Sequence, residues 1–172
     1  MPDATGLELI AQGVREKLGD ETVVGTHFVD GYATLEVAPS AIRDALTFLC
    51  GESVDSFDRV MSVHGNDYWP EEPRFGIHYE LLSMERLDRL HLKLRVRDGE
   101  PVATITDLFP TANFQEREIY DMFGVVFPGH PDMTRILMPE DYEGYPQRRD
   151  FPMGGEPVLF TFNEHKLPRW YE

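Results

Sequence analysis

The chain has a single cysteine, Cys50, in 172 residues. One thiol cannot form an intramolecular disulfide, a Cys-x-x-Cys redox pair or a Cys-ligated iron–sulfur cluster. A reducing, cytosolic compartment fits that scarcity. Positive charge is also scarce, with 16 Lys and Arg against 31 Asp and Glu and a net charge of −15. Phosphate backbones and anionic lipid surfaces repel such a chain, which argues against nucleic-acid binding. No apolar run approaches the ~18 residues of a membrane span, so no direct membrane insertion is expected. The segment 1–6 lacks the basic and apolar regions of a secretory leader. The six histidines, His27, His64, His78, His91, His130 and His165, never fall within five residues of one another, which leaves no compact metal-ligand spacing. Gly154-Gly155 opens no helix, so no phosphate loop is present.

What remains is an ordinary globular composition, 41% hydrophobic and 27% charged. The length suits one domain that buries roughly 70% of its unfolded surface. The acid is uneven. Residues 1–123 carry 11 bases and 23 acids, and residues 124–172 carry 5 bases and 8 acids. The excess therefore lies on the N-terminal body.

Hydrophobic spacing predicts a helix over 5–18, with Leu7, Ile10, Ala11, Val14 and Leu18 on one face, a Thr5-x-x-Glu8 capping box and Gly19 as its stop. Strands at 22–29 and 32–37 flank Asp30-Gly31, a strong hairpin signal. Pro39-Ser40 opens a second helix, with Ile42, Ala45, Leu46 and Leu49 inward and Gly51 as its stop. Three strands follow, at 57–63, 75–82 and 90–97. In the last, Leu90, Leu92, Leu94 and Val96 alternate with His91, Lys93, Arg95 and Arg97, as in a sheet with one dry face. The basic set reads as a solvated face or as a patch for an acidic partner. A third helix is expected over 111–123, with Asn113 as cap and Glu116 three residues on. The fold class is α+β: a small, mostly antiparallel sheet with helices on one face in residues 1–123, followed by an extended irregular C-terminal arm in residues 124–172.

Between Phe127 and Pro157 there are six prolines and four glycines in 31 residues. That density prevents an independent core. The segment nevertheless carries Phe127, Met133, Ile136, Leu137, Met138, Tyr142, Tyr145 and Phe151, interspersed with Arg135, Arg148 and Arg149, which are residue types enriched at interfaces. Either it finds its core on another protein or it wraps its own domain. Composition does not choose between these.

The densest polar cluster runs from Glu116 to Asp121 and on to His130-Pro131. On a helix Arg117 and Asp121 are i,i+4 neighbours and can pair. A catalytic reading would use Glu116 or Glu118 as base and His130 as acid, but the two carboxylates point to different sides of a helix. A metal reading would need His78 and His91 to meet across the last hairpin, where cross-strand pairing with Lys93 and Glu80 is the commoner outcome. Cys50 has no base placed beside it and reads as a small apolar residue.

From Phe114-Gln-Glu-Arg-Glu-Ile-Tyr-Asp-Met-Phe-Gly through His130-Pro131-Asp132-Met133 and Thr134-Arg-Ile-Leu-Met-Pro to Arg148-Arg149-Asp150-Phe151-Pro-Met-Gly-Gly, the chain resembles one family in a single register over about 42 residues. The family is the 30-kDa, or C-type, subunit of NADH:quinone oxidoreductase (respiratory complex I). The resemblance implies a non-catalytic α+β scaffold in the hydrophilic arm of a proton-translocating enzyme, peripheral on the cytoplasmic side of a bacterial inner membrane. It implies that the chain binds no cofactor, with FMN, iron–sulfur clusters, quinone and NADH on other subunits. It also implies docking against the large quinone-site (49-kDa-type) subunit and neighbouring iron–sulfur subunits. The residues expected to dock are Phe114, Glu116, Arg117, Glu118, Tyr120, Asp121, Phe123, Phe127, His130, Pro131, Arg135, Arg148 and Arg149. An equivalent scaffold in a membrane-bound hydrogenase or a coenzyme-F420 dehydrogenase is the alternative.

Overall fold

A computed structural model describes residues 2–52 and 56–152. The last twenty residues, including Gly154-Gly155 and the end of the expected arm, lie outside the described residues.

Helix α1 (Ala4–Leu18) buries Leu7, Ile10, Ala11 and Val14, the stripe set by its three- and four-residue spacing. Its cap differs from the expected capping box. Asp3 Oδ1 accepts the Gly6 N–H at 2.7 Å, while Glu8 turns away and accepts a hydrogen bond from Thr26 Oγ1. Strands β1 (Val23–Val29) and β2 (Tyr32–Val37) form a hairpin. Asp30 and Gly31, at φ +52° and +83°, give the two left-handed residues that a tight two-residue turn requires. A short turn at Pro39–Ala41 leads into α2 (Ile42–Thr47), which widens into a π-type turn at Phe48–Glu52. The expected stop, Gly51, falls inside that turn. Cys50 packs half-buried against the core, and burial pushes its thiol up to about 12, leaving a poor nucleophile.

Strands β3 (Arg59–Asp67), β4 (Phe75–Ser83) and β5 (Asp88–Val96) complete one sheet in the order β1-β2-β5-β4-β3. Every pairing is antiparallel except β2 with β5. Leu90, Leu92, Leu94 and Val96 are fully buried, beside Ile77, Tyr79 and Leu81 of β4 and Ala33, Leu35 and Val37 of β2. Each such leucine contributes about 2 kcal/mol by leaving water. On the other face His78 stands opposite Lys93, and Glu80 opposite His91. The helices lie on the dry face.

Helix α3 (Ala112–Phe123) packs along β3. Gly65 permits this approach: a Cβ there would sit 2.9 Å from the Phe123 ring. Asn113 does not cap α3, since no side chain bonds its first turn. Gly124, at φ +80°, ends it with its N–H on the Tyr120 carbonyl.

The described part of the arm, residues 124–152, lies on its own body. The N–H groups of Val102 and Thr104 donate to the carbonyls of Val126 and Pro128. Val125 and Phe127 enter the core, and Tyr142 is buried. The prolines and glycines prevent a separate core, and the apolar side chains instead finish the first one.

Candidate functional site

The site is built by α3 and the arm segment that crosses it. Asp121 is wholly buried. It accepts three successive backbone N–H groups, from Ile136 at 3.0 Å, Leu137 at 2.7 Å and Met138 at 2.9 Å. Arg135 Nη1 completes the shell at 2.7 Å. Burial pushes the carboxyl up, but these four donors outweigh it and hold it below the usual carboxylate range. Turning these N–H groups inward leaves the Ile136 and Leu137 side chains outward, while Met138 packs half-buried against the core. Leu137 is 59% exposed and Ile136 38%.

The expected Arg117–Asp121 pair does not form. Arg117 donates from Nε to the Thr134 carbonyl at 3.0 Å and from Nη2 to Thr134 Oγ1 and the Arg135 carbonyl. Asp121 takes Arg135 from the next segment instead, because the folded arm brings a better-placed guanidinium than the helix does.

Glu116 also points inward. It accepts from the Ile105 N–H at 2.8 Å and from the Thr104 hydroxyl. Burial pushes its carboxyl up, and these two bonds only partly offset that. Glu118 is exposed on the opposite side, so the two carboxylates do not face one substrate. His130 Nε2 meets the Asn113 carbonyl at 3.1 Å while Nδ1 accepts the Asp132 N–H. Nε2 thereby ties the arm to α3, and Nδ1 closes a local turn within the arm.

The remaining arginines act likewise. Arg148 binds both oxygens of Asp98 at 2.8 Å and the Phe123 carbonyl, with its guanidinium over the rings of Phe75 and Tyr145. Arg149 donates to the Trp69 carbonyl. Beside it, Arg74 bridges Asp67 and Asp150 and is nearly buried. Burial pushes Asp67 up, but Arg74 and the Arg149 and Trp69 N–H groups hold it at about 2. Phe123 and Phe127 are core residues and Tyr120 is half-buried against Tyr145.

Of the residues expected to dock, Phe114 (60% exposed), Glu118 and Pro131 stand at the surface, and Arg117, His130, Arg135, Arg148 and Arg149 hold the arm. The side chains of Glu116, Asp121, Phe123 and Phe127 are enclosed by this chain and are not available to a partner. The exposed surface instead includes Ile136 and Leu137, two of the arm's apolar residues that were not among those expected to dock. A concavity lined by Gly65, Glu118, Met122 and Gln147 opens between β3 and α3.

The family described as the 30-kDa subunit of respiratory-chain NADH dehydrogenase matches residues 35–157. The chain belongs to that family. Among curated relatives, the C-type subunit of NADH-quinone oxidoreductase from Herpetosiphon aurantiacus is 52% identical over 155 residues, covering 90% of this chain and 86% of that one. Its namesake in Roseiflexus castenholzii is 42% identical over 148 residues, covering 86% and 85%. That of Cereibacter sphaeroides is 40% identical over 156 residues, covering 90% and 76%. Among the described residues no helix is long and apolar enough to cross a membrane.

Proposed function

We propose that the chain is a structural subunit of the hydrophilic arm of a proton-translocating NADH:quinone oxidoreductase, and that it takes no chemical step itself. Electrons pass from NADH to quinone through FMN and iron–sulfur clusters held by other subunits. The chain presents the Asp121-braced loop and α3 to a partner, for which the large quinone-site (49-kDa-type) subunit and its iron–sulfur neighbours are the candidates. This places it on the cytoplasmic side of the membrane, held there by the complex. The name shared by its relatives favours this enzyme over a hydrogenase or a coenzyme-F420 dehydrogenase.

The observation that carries this reading is the braced loop. A buried carboxylate takes three N–H groups and one arginine, so the backbone that carries the exposed Ile136 and Leu137 is fixed. Exposed apolar side chains on rigid backbone are what an interface uses, because little ordering entropy opposes binding. The two buried carboxylates have hydrogen-bond partners within the chain, which supports an architectural role for both. Purification from native membranes tests the reading. The chain is expected to elute with flavin, iron–sulfur protein and NADH:quinone activity. A stable lone species with its own turnover would overturn it.

A further inference from the structure

The sheet ends in two edges of opposite character. The β3 edge is protected: it carries exposed Arg59 and a register shift between Val60 and Ser62, and its Val63 N–H is taken by Gln115 of the adjoining α3. Charges, irregularities and covering elements of this kind stop a strand from recruiting another chain.

The β1 edge has almost none of these. Val23–Val29 reads Val-Val-Gly-Thr-His-Phe-Val, without lysine, arginine, acid or proline. Its one irregularity falls between Val23 and Gly25, and Gly25 to Val29 keep unbroken register with β2. Among the described residues no strand lies beyond it. Val24 and Val29 are each more than 60% exposed, and Phe28 and Tyr32 are exposed beside them. The Thr26 hydroxyl bonds Glu8 of α1, which ties the strand to that helix. An antiparallel ladder leaves every second N–H and C=O of an edge strand facing outward.

We infer that β1 is a second docking surface, which adds a strand from another polypeptide to the sheet. The charges at its ends specify that strand. Exposed Asp20 and Glu21 precede β1, and exposed Asp30 follows it. A second copy paired antiparallel would set Asp30 against the Glu21 end of its mate, and a parallel one would align the two Asp20-Glu21 pairs. Each places like charges together, on bodies that already carry −15. The fitting occupant is an uncharged β-branched or aromatic run with lysine or arginine at both ends. This rests on the chain working within an assembly but not on which subunit meets α3.

Hydrogen exchange on the assembled oxidoreductase and on the isolated full-length chain tests it. In the assembly, outward amides within Gly25–Val29 should exchange at least tenfold more slowly than in the isolated chain. Carbodiimide should join Glu21 or Asp30 to a lysine of another subunit. Phe28→Lys should lower incorporation at least fivefold, while the exposed control Met84→Lys should not. Equal exchange in both samples overturns the inference. So does protection already present in the isolated chain, whether it depends on concentration (a second copy) or vanishes on truncation after Pro152 (its own C-terminal segment). If the chain is absent from the oxidoreductase, the functional reading fails as well. If it is present with β1 exchanging freely, only this inference fails.

Discussion

Asp121 and Arg135 meet at 2.7 Å between Oδ1 and Nη1, joining the last turn of α3 to a loop fourteen residues further on. Arg135 also donates to the Gly144 carbonyl and lies near the Tyr142 and Tyr145 rings. One carboxylate therefore fixes one loop directly and a second through its arginine. The exposed Ile136–Leu137 surface thus depends on a residue wholly enclosed by its own chain.

Asp121→Asn keeps the volume but removes the charge, leaving three N–H groups and a guanidinium around a weaker acceptor. Breaking a buried pair from one side costs about 3–5 kcal/mol, so the denaturant midpoint should fall accordingly. The carboxyl is held low in the folded state, so the wild-type advantage is present above the unfolded value near ~4. It disappears as pH falls through the lower folded value. Unfolding curves of both proteins should differ at pH 7 and converge in strong acid.

Arg148 grips Asp98 with two parallel bonds and caps the Phe123 carbonyl while its flat face covers two rings. Lysine offers a point charge and cannot reproduce that fork or the stacking. Arg148→Lys should therefore recover little of the loss caused by Arg148→Ala, which we place at about 2 kcal/mol. Limited proteolysis checks this: cleavage within 140–152 should accelerate in both variants.

The alternation Leu90-Leu92-Leu94-Val96 can belong only to a strand with one dry face, and Asp30-Gly31 can hardly be anything but a hairpin turn. Those elements were legible because their signals are local. The pairing of His78 with Lys93 and of Glu80 with His91 was legible too, since it follows from the hairpin register. The arm was not. Its composition suits wrapping its own body as well as reaching a partner, and the choice depends on Asp121, Asp98 and Asp67 meeting arginines and amides far away in sequence. Local spacing made Arg117 the obvious mate for Asp121, yet the folded loop supplied Arg135. Ile136 and Leu137 had no periodic signal, because a three-amide turn around a carboxylate has none.

His78 offers a separate pH test. Burial first, then the neighbouring His64, Lys93, His91 and Arg95, lower it to about 4. The His64 ring stacks on it at 5.1 Å, and the Tyr68 hydroxyl lies 3.2 Å from Nε2. The folded state keeps this ring neutral after the unfolded chain has taken up a proton at ~6.5. Between those values the unfolded state binds more protons, so stability falls as pH drops from about 6.5 to about 4, by no more than about 3 kcal/mol. His78→Gln should flatten that part of the stability–pH curve and leave the steeper loss below pH 4, to which the lowered Asp67 and Asp121 contribute.

Leu137→Asp separates presentation from folding. The side chain is exposed and its backbone N–H, not its leucine, holds Asp121, so the isolated chain should unfold within about 0.5 kcal/mol of wild type. At an interface the same change buries a charge where an apolar anchor belongs and should cost at least about 2 kcal/mol, roughly a thirtyfold loss of affinity. Arg117→Ala leaves Leu137 itself unchanged but removes the bonds that hold Thr134 and the Arg135 carbonyl. Both variants should lower the amount of assembled oxidoreductase recovered from membranes, while the complex that does assemble keeps its turnover per flavin. Only Arg117→Ala should also lower the unfolding midpoint of the isolated chain. Normal assembly of Leu137→Asp would remove this loop from the interface, and normal assembly with lost turnover would assign the surface a part in the chemistry.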